Sequence, residues 1–367
     1  MKTLISALTL LMVLTSCSNG DNENIDIPPQ ESSNYFPPLN SDEWESISPM
    51  ELGWDAAKLD ELLNYLETNH TRAFIILKDG KLVVEEYFGN NILGTAAFNK
   101  NSQWYWASAG KTLTATLVGI AQEEGMLSIE DPSSVYLGEG WTSLAPEKEQ
   151  LITVKNQLTM TTGLEYEVSQ LDCTLPACLT YRLDAGQQWF YHNAPYSLLR
   201  RVVENATDTD YNEYTDLKVE SKIGMNGQWI AQDYNTIYWS TARDMARFGL
   251  LLLNKGKWDE TAVLSDLEYY NQMVNTSQTL NPSYGYLWWL NGKESIIFPS
   301  IPNSFNTSLS ENAPQDLVAG MGKNGQFVEF VPSKNLVVIR MGEAPDGSLV
   351  PITFHDEVWE KLDLIIN

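Results

Sequence analysis

The sequence predicts an α+β fold in which helices flank an antiparallel sheet and a mainly helical subdomain is inserted. Strand-like hairpins occur near both ends of the chain, around Asp79-Gly80 and around residues 332–335. The segment between them, from about residue 112 to 265, has mostly helical periodicity. Because hairpins pair strands in antiparallel fashion, strands from both ends can join one sheet beside the helices. A cleft between the sheet and the helical part is where a ligand site is expected.

The first elements of the domain are a helix and a hairpin. Residues 54–66 carry apolar side chains at spacings of three and four, which is typical of an amphipathic helix. Two β-prone runs follow, at 73–77 and 82–88, and Asp79-Gly80 between them indicates a tight hairpin turn.

Helical patterns dominate the middle of the chain. One helix is predicted from Ser108 to Glu124 and ends at Gly125. Further helices are predicted over residues 154–160, 196–205 and 242–254.

Strand patterns return after about residue 284. The aromatic run 284–289 is β-prone, and the runs 327–331 and 336–341 form the second predicted hairpin. A closing amphipathic helix is predicted over 356–365. The folded domain is therefore predicted to span residues 51–367.

A serine and a lysine stand three residues apart at the start of the Ser108 helix. Residues three apart lie on one helix face, so the Lys111 amine can sit beside the Ser108 hydroxyl. A serine hydroxyl needs a base to become a nucleophile, and a helix N-terminus offers N–H groups to a developing oxyanion. The pattern alone also fits a capping serine with a solvated lysine.

Two further motifs carry side chains or N–H groups that could assist a serine nucleophile. Tyr191-His192-Asn193 precedes a predicted helix, and a tyrosine can take a serine proton where nearby cations stabilise the phenolate. The glycine-rich run 320–326 opens a predicted strand, and its glycines permit close approach to a ligand. In that run Lys323 is a candidate for binding a carboxylate, and the Gln326 N–H is a candidate second oxyanion donor beside the N–H of Ser108.

The chain carries three motifs in this order: Ser-x-x-Lys, Tyr-x-Asn and Lys-Asn-Gly. The same order is found in the superfamily of penicillin-binding proteins and class C β-lactamases. This sequence resembles that superfamily over about residues 50–367. It looks closest to the branch of esterases and 6-aminohexanoate-dimer-hydrolase-like proteins. The resemblance implies a β-lactamase/transpeptidase-like fold. It also implies that Ser108 is acylated, that Lys111 and Tyr191 share the acid–base role, and that Asn193 and Lys323 position substrate. Asn324 and Gly325 stand where the family carries threonine and glycine.

The third motif departs from the family pattern. Asn324 replaces the threonine whose hydroxyl often meets a β-lactam carboxylate, which makes efficient β-lactam hydrolysis doubtful. We therefore expect a serine hydrolase that cleaves a small-molecule or peptide-like ester or amide. The alternatives are a D-alanyl peptidase or weak β-lactamase and, in another class, a surface lipoprotein that only binds its ligand.

Other chemistries have less support in the sequence. No Gly-x-Ser-x-Gly motif is present, and a Ser-His-Asp triad would have to use His192. His355-Asp356-Glu357 is too sparse for a metal site and is expected to face solvent. No dinucleotide fingerprint or phosphate loop occurs, so neither a metal nor a cofactor is predicted.

The N-terminus predicts export. Residues 1–16 have one positive charge and a short apolar run, as in a signal peptide, and the run ends in a segment that resembles the lipobox of bacterial lipoproteins. Cys17 is then the lipidated residue, residues 17–50 form a flexible tether, and the protein is expected in the bacterial cell envelope, on the periplasmic side or the outer-membrane surface. An ordinary cleaved signal peptide is the alternative.

The net charge limits the classes of binding partner, and the cysteines indicate a disulfide. The formal net charge of −25 argues against nucleic acid and anionic lipid, so membrane contact is expected through the lipid anchor alone. Cys173 and Cys178 are close enough in sequence to form a disulfide outside the cytoplasm.

Overall fold

The computed structural model describes residues 34–348 and 350–366. The predicted signal peptide, the lipidation site Cys17 and the first part of the predicted tether lie outside these residues. Among the described residues, no helix has the length and apolar character needed to cross a bilayer.

The strands fall into one large sheet and three small ones. In chain order they are β1 Thr71–Lys78, β2 Lys81–Tyr87, β3 Trp104–Tyr105, β4 Gln228–Gln232, β5 Asn235–Ser240, β6 Lys257–Trp258, β7 Thr261–Ala262, β8 Trp289–Leu290, β9 Ile296–Ile297, β10 Ser304–Phe305, β11 Val318–Gly322, β12 Gln326–Val331 and β13 Leu336–Gly342.

The helices include four long ones, α1, α2, α10 and α12, and several that are only one or two turns long. They are α1 Ala56–Thr68, α2 Lys111–Glu123, α3 Ser134–Leu137, α4 Pro146–Glu149, α5 Val154–Leu158, α6 Asn193–Ser197, α7 Leu199–Thr207, α8 Tyr211–Thr215, α9 Ser221–Ile223, α10 Ala242–Leu253, α11 Leu267–Met273 and α12 Ile352–Ile366. Short 3₁₀ turns occur at Ala107–Gly110, Pro176–Cys178 and Pro332–Lys334, and a π turn at Asp216–Glu220.

The large sheet joins the two ends of the folded chain. Its six strands are antiparallel in the order β2-β1-β13-β12-β11-β8. Strand β1 pairs with β13, with Ile75 opposite Ile339, so the two predicted hairpins share one layer. This confirms the predicted α+β fold, in which helices flank an antiparallel sheet.

Helices cover both faces of that sheet. On β12, Val328 faces α10 beside Gly249, whereas the neighbouring Glu329 faces α12, because successive strand residues point to opposite faces. Helix α1 packs along α12. The sheet is therefore the middle of three layers, and α2 starts at its edge.

Two strand predictions need correction. The run predicted as a strand at 284–289 is mostly a turn, in which the Gly285 N–H donates to the Trp288 carbonyl and Leu287 has a φ of +62°. Only Trp289–Leu290 joins the sheet. Conversely, the region expected to be mainly helical contains the β4–β5 hairpin, which pairs with β3 in a three-stranded sheet.

The expectation that His355 faces solvent is wrong. Its side chain is buried, and its Nε2 lies 2.5 Å from an oxygen of Glu329. The other Glu329 oxygen accepts a hydrogen bond of 3.0 Å from Trp359 Nε1. His355 and Trp359, on the side of α12 that faces the sheet, thus both bond to Glu329 in the core, whereas His355 Nδ1 has no hydrogen-bond partner among the described residues.

The predicted tether does not extend over residues 34–50. The Tyr35 N–H donates to the Asp79 carbonyl at 3.0 Å, and Trp44 Nε1 donates to the Gly80 carbonyl at 2.8 Å. The Phe36 ring packs edge-on against Trp258, 5.1 Å between centroids. Aromatic side chains scattered through a polar segment are enough to hold it on the domain.

Candidate active site

Ser108 lies in the 3₁₀ turn that leads directly into α2. The residue before the turn, Trp106, is fully buried. Its Nε1 donates a hydrogen bond of 2.8 Å to Ser240 Oγ, which anchors the start of the turn. Ala107, next to the serine, has a φ of +48°, a region that alanine rarely adopts. Backbone strain of this kind needs support from its surroundings and is common at functional sites.

Lys111 is the first residue of α2 and is almost fully buried, with 4% of its surface exposed. Its Nζ lies 3.6 Å from the centroid of the Tyr196 ring and 5.4 Å from that of Tyr191. Burial lowers the pKa of Lys111 to about 7, and the nearby charge of Asp172 opposes this shift. A large share of the amine is therefore neutral at neutral pH and able to accept a proton.

Tyr191 lies beside the serine. Burial raises the pKa of Tyr191 above its ordinary value, and this outweighs the opposite effect of a hydrogen bond with Ser108. Its ring stacks on Trp289 at 5.9 Å, which fixes its direction. The phenol therefore stays protonated at neutral pH, whereas part of the Lys111 amine is neutral.

Asn193 begins α6, two residues after the tyrosine. Its Nδ2 donates to Asp172 Oδ1 at 2.9 Å. Its Oδ1 is buried and has no hydrogen-bond partner among the described residues. An unsatisfied buried oxygen in a cleft is suited to accept a hydrogen bond from a substrate.

Strand β11 approaches the serine turn through two glycines. A Cβ on Gly322 would lie 2.6 Å from the Trp106 carbonyl oxygen and 3.0 Å from the Ser108 nitrogen. A Cβ on Gly320 would lie 2.8 Å from a methyl carbon of Thr112. The glycines thus allow the strand to touch the backbone around Ser108.

Of the predicted Lys-Asn-Gly-Gln run, only the lysine reaches the cleft. Lys323 is exposed and lines it. The Asn324 side chain instead donates to the Tyr105 hydroxyl at 2.8 Å, and Gly325 faces the Arg340 guanidinium. The Gln326 side chain bonds to the backbone of Gly342.

The assignment of Gln326 as an oxyanion donor is therefore not supported by the fold. Strand β12 has neighbours on both sides, so its N–H groups point along the sheet towards them. Strand β11, in contrast, is paired with β8 only at Val318 and Ala319. Beyond Ala319 no strand of the described residues pairs with this edge. The face of the same strand at Gly320 and Gly322 lies against the serine turn and the start of α2.

Five of the predicted site residues lie together at a cleft of about 670 Å³. Ser108, Lys111, Tyr191, Asn193 and Lys323 all line it. Other lining residues were not predicted from the sequence. They fall on the segment 169–172, on the β4–β5 hairpin from Gln232 to Ile237, and at Pro299, Ser300 and Val350. The β-branched and aromatic runs on either side of Gln232–Asn235 were the available signal for the hairpin.

His192 does not take the place of a triad base. Its ring is hydrogen-bonded to the backbone of Leu171, and burial lowers its pKa to about 4. Within the described residues, no group of three or more His, Cys, Asp or Glu side chains is placed to hold a metal ion.

A serine hydroxyl beside a buried lysine of lowered pKa and a protonated tyrosine, in an open cleft, defines a serine hydrolase. The chain belongs to the Beta-lactamase family, which matches it over residues 66–347.

Individual relatives agree with this family. The 6-aminohexanoate-dimer hydrolase of Paenarthrobacter ureafaciens is 24% identical over 345 residues, covering 84% of this chain and 79% of the relative. A solved structure titled "Putative 6-aminohexanoate-dimer hydrolase from Bacillus anthracis" superposes with a TM-score of 0.67 at 18% identity, covering 90% of this chain and 89% of the other. A penicillin-binding protein from Bacillus halodurans gives a TM-score of 0.59 at 17% identity, covering 83% and 97%. The two structural likenesses show the fold.

Proposed function

We propose that the protein is an exported hydrolase that cleaves an ester or amide bond through an acyl-enzyme on Ser108. The observation that carries this proposal is the state of Lys111. A primary amine buried beside the start of α2, with a pKa of about 7, is a base matched to neutral pH. A protein that only binds a ligand does not need a lysine at this energetic cost.

In the acylation step, the Ser108 oxygen attacks the substrate carbonyl and its proton passes to the neutral Lys111 amine. The tetrahedral oxyanion is received by the N–H of Ser108 and by an N–H from the open edge of β11. The Leu317 carbonyl accepts from Asn291 on the β8 side, so alternation along the strand directs the Lys323 N–H to the same edge. Tyr191 donates its proton to the leaving alcohol or amine and regains one from Lys111.

In the deacylation step, water attacks the acyl-enzyme. The same groups run in reverse: the water proton is accepted by the Lys111–Tyr191 pair, and Ser108 leaves with a proton restored to its oxygen. The second step therefore needs no residue beyond those already in the cleft.

The lining of the cleft supports a polar substrate of modest size. Amide side chains line the cleft, among them Gln170, Asn193, Gln232 and Asn235. Such groups match a small or peptide-like ester or amide better than a long acyl chain. The similarity to a 6-aminohexanoate-dimer hydrolase favours an amide. A D-alanyl peptidase or weak β-lactamase is the second candidate, favoured by the likeness to a penicillin-binding protein.

The decisive test is intact mass after treatment with a fluorophosphonate probe. We expect one adduct on the wild type and none on Ser108→Ala. Turnover of short p-nitrophenyl esters or anilides without a lasting penicillin adduct then supports the ester or amide hydrolase, and a lasting penicillin adduct supports the peptidase. Absence of any adduct on the wild type contradicts the proposal and favours the binding lipoprotein.

We also propose that the chain is anchored in the bacterial cell envelope by lipid on Cys17, after removal of residues 1–16. The support is the sequence of this segment. The mass of the mature protein in the membrane fraction should exceed that of the bare chain by the lipid. Cys17→Ser should appear without that increment, and an unmodified wild-type mature chain would contradict the anchor.

A further inference from the structure

We propose that Asp172, carried on a disulfide-closed loop, is a positioning residue for the Ser108, Lys111 and Tyr191 machinery. The inference rests on the proposed function, because it assigns a role within that same site. None of the sequence motifs contains Asp172. It directly precedes Cys173, whose disulfide restricts the position of the residues beside it.

The loop is closed at its base and at its tip. At the base, the Glu165 N–H donates to the Thr180 carbonyl at 2.9 Å, and Arg182 pairs with Glu165 at 2.7 Å. At the tip, a disulfide joins Cys173 to Cys178, and the Cys173 N–H donates to the Gln170 carbonyl at 3.2 Å. Residue 172 is therefore held in place on a segment that has no regular secondary structure.

The held residue reaches the catalytic segment directly. Asp172 Oδ1 accepts a hydrogen bond of 2.9 Å from Asn193, and the backbone of the preceding Leu171 bonds to the His192 ring. The loop is thus hydrogen-bonded to both residues that follow Tyr191, His192 and Asn193. It fixes the amide of Asn193, whose oxygen is buried without a hydrogen-bond partner among the described residues.

The carboxylate also acts on the lysine. The groups facing the Lys111 amine are the Ser108 hydroxyl at the start of its own helix, the Tyr191 and Tyr196 rings, and Asp172 from the loop. Asp172 is the one carboxylate among these groups. Its negative charge favours the ammonium form and so raises the pKa of Lys111 against the effect of burial. Lys323 and Asp233 line the same cleft.

A carboxylate that only supported the loop would not change the pKa of Lys111. The pH dependence of acylation therefore distinguishes a structural role of Asp172 from an effect on the Lys111 amine. The rate of fluorophosphonate labelling is measured from about pH 5 to 9 for wild type and Asp172→Asn. Without the charge, Lys111 loses its proton at lower pH. The acid limb of the profile should move down by about one pH unit.

Two variants control this experiment. Asp233→Asn removes another carboxylate of the cleft and should leave the limb where it is. Asp172→Glu keeps the charge and should restore the wild-type limb. A uniform fall in rate with an unmoved limb in Asp172→Asn overturns the proposal. If the wild type is not labelled at all, it is the acyl-enzyme proposal that fails.

The disulfide gives an independent test of the loop. The double variant Cys173→Ser/Cys178→Ser keeps Asp172 but releases the tip, so the labelling rate should fall about tenfold or more at every pH. Reductant should lower the wild-type rate similarly and leave the double variant unchanged. The native cysteines should resist alkylation until they are reduced. Full activity of the double variant would contradict a positioning role for the closed loop.

Discussion

At the scale of single residues, Lys111 shows how function and stability oppose each other. A lysine with 4% exposure has lost the hydration of its ammonium group. Its contacts with the faces of two tyrosine rings return only part of that loss. The pKa of about 7 is the result, and it is also what makes the amine a base.

The first prediction is that Lys111→Met abolishes labelling of Ser108 and stabilises the fold. Folding lowers the pKa of Lys111 from 10.5 to about 7, so burying the ammonium group destabilises the folded protein. This destabilisation is absent above about pH 10.5, grows as the pH falls, and is complete below about pH 7. Removing the amine should raise the free energy of unfolding at neutral pH by on the order of 4 kcal/mol. Thermal unfolding at about pH 7 and pH 10 measures this, and the gain should shrink at the higher pH.

Lys58→Met is the matched control, because Lys58 lies on the surface of α1 and pairs with Glu61. It should change neither labelling nor stability appreciably. A Lys111→Met protein that labels at the wild-type rate would exclude the lysine as the base.

At the scale of elements, the contact between β11 and the serine turn decides the geometry of the site. The second prediction is that Gly322→Ala lowers the labelling rate about a hundredfold and destabilises the fold by about 1 to 3 kcal/mol. The new Cβ would lie 2.6 Å and 3.0 Å from backbone atoms of Trp106 and Ser108, which cannot rotate away as a side chain could.

The control is Gly347→Ala, where a Cβ meets no atom within 4 Å. It should behave as wild type in both measurements. Equal behaviour of the two alanine variants would mean that β11 does not set the position of Ser108.

The β4–β5 hairpin makes a different contribution. Its turn supplies Asp233 and Tyr234 to the wall of the cleft, at a distance in sequence from every catalytic motif. We therefore predict that Tyr234→Ala raises KM by several-fold for the preferred ester or anilide while kcat stays within about twofold. A fall in kcat at constant KM would place Tyr234 in the chemistry instead.

At the scale of the whole molecule, the folded domain begins earlier than its helical and strand patterns suggest. Residues 34–50 add backbone bonds to β2 and aromatic contacts beneath α10, where Arg247 donates to the Pro38 carbonyl at 2.9 Å. A chain starting at Asn34 should unfold as the longer protein does. A chain starting at Glu51 should lose on the order of 3 kcal/mol or more. Identical unfolding curves for the two truncations would show that the segment contributes nothing.

Much of the fold could be read from local patterns. The Asp79-Gly80 turn, the helical spacing after Lys111 and the hairpin at 332–335 each depend on residues close in sequence. These signals are set by backbone conformation and by the period of apolar side chains. The order of the three motifs, and hence the family, followed from the same short stretches.

Packing between distant segments decided the rest. It turned Asn324, Gly325 and Gln326 away from the cleft, buried His355 against Glu329, and brought Asp172 to Asn193 across 21 residues of chain. Spacing along a chain does not determine which side of a turn faces a cavity, or which polar groups find partners inside a core. Those outcomes depend on contacts among many elements at once, and they exist only after the sheet and the helical part have come together.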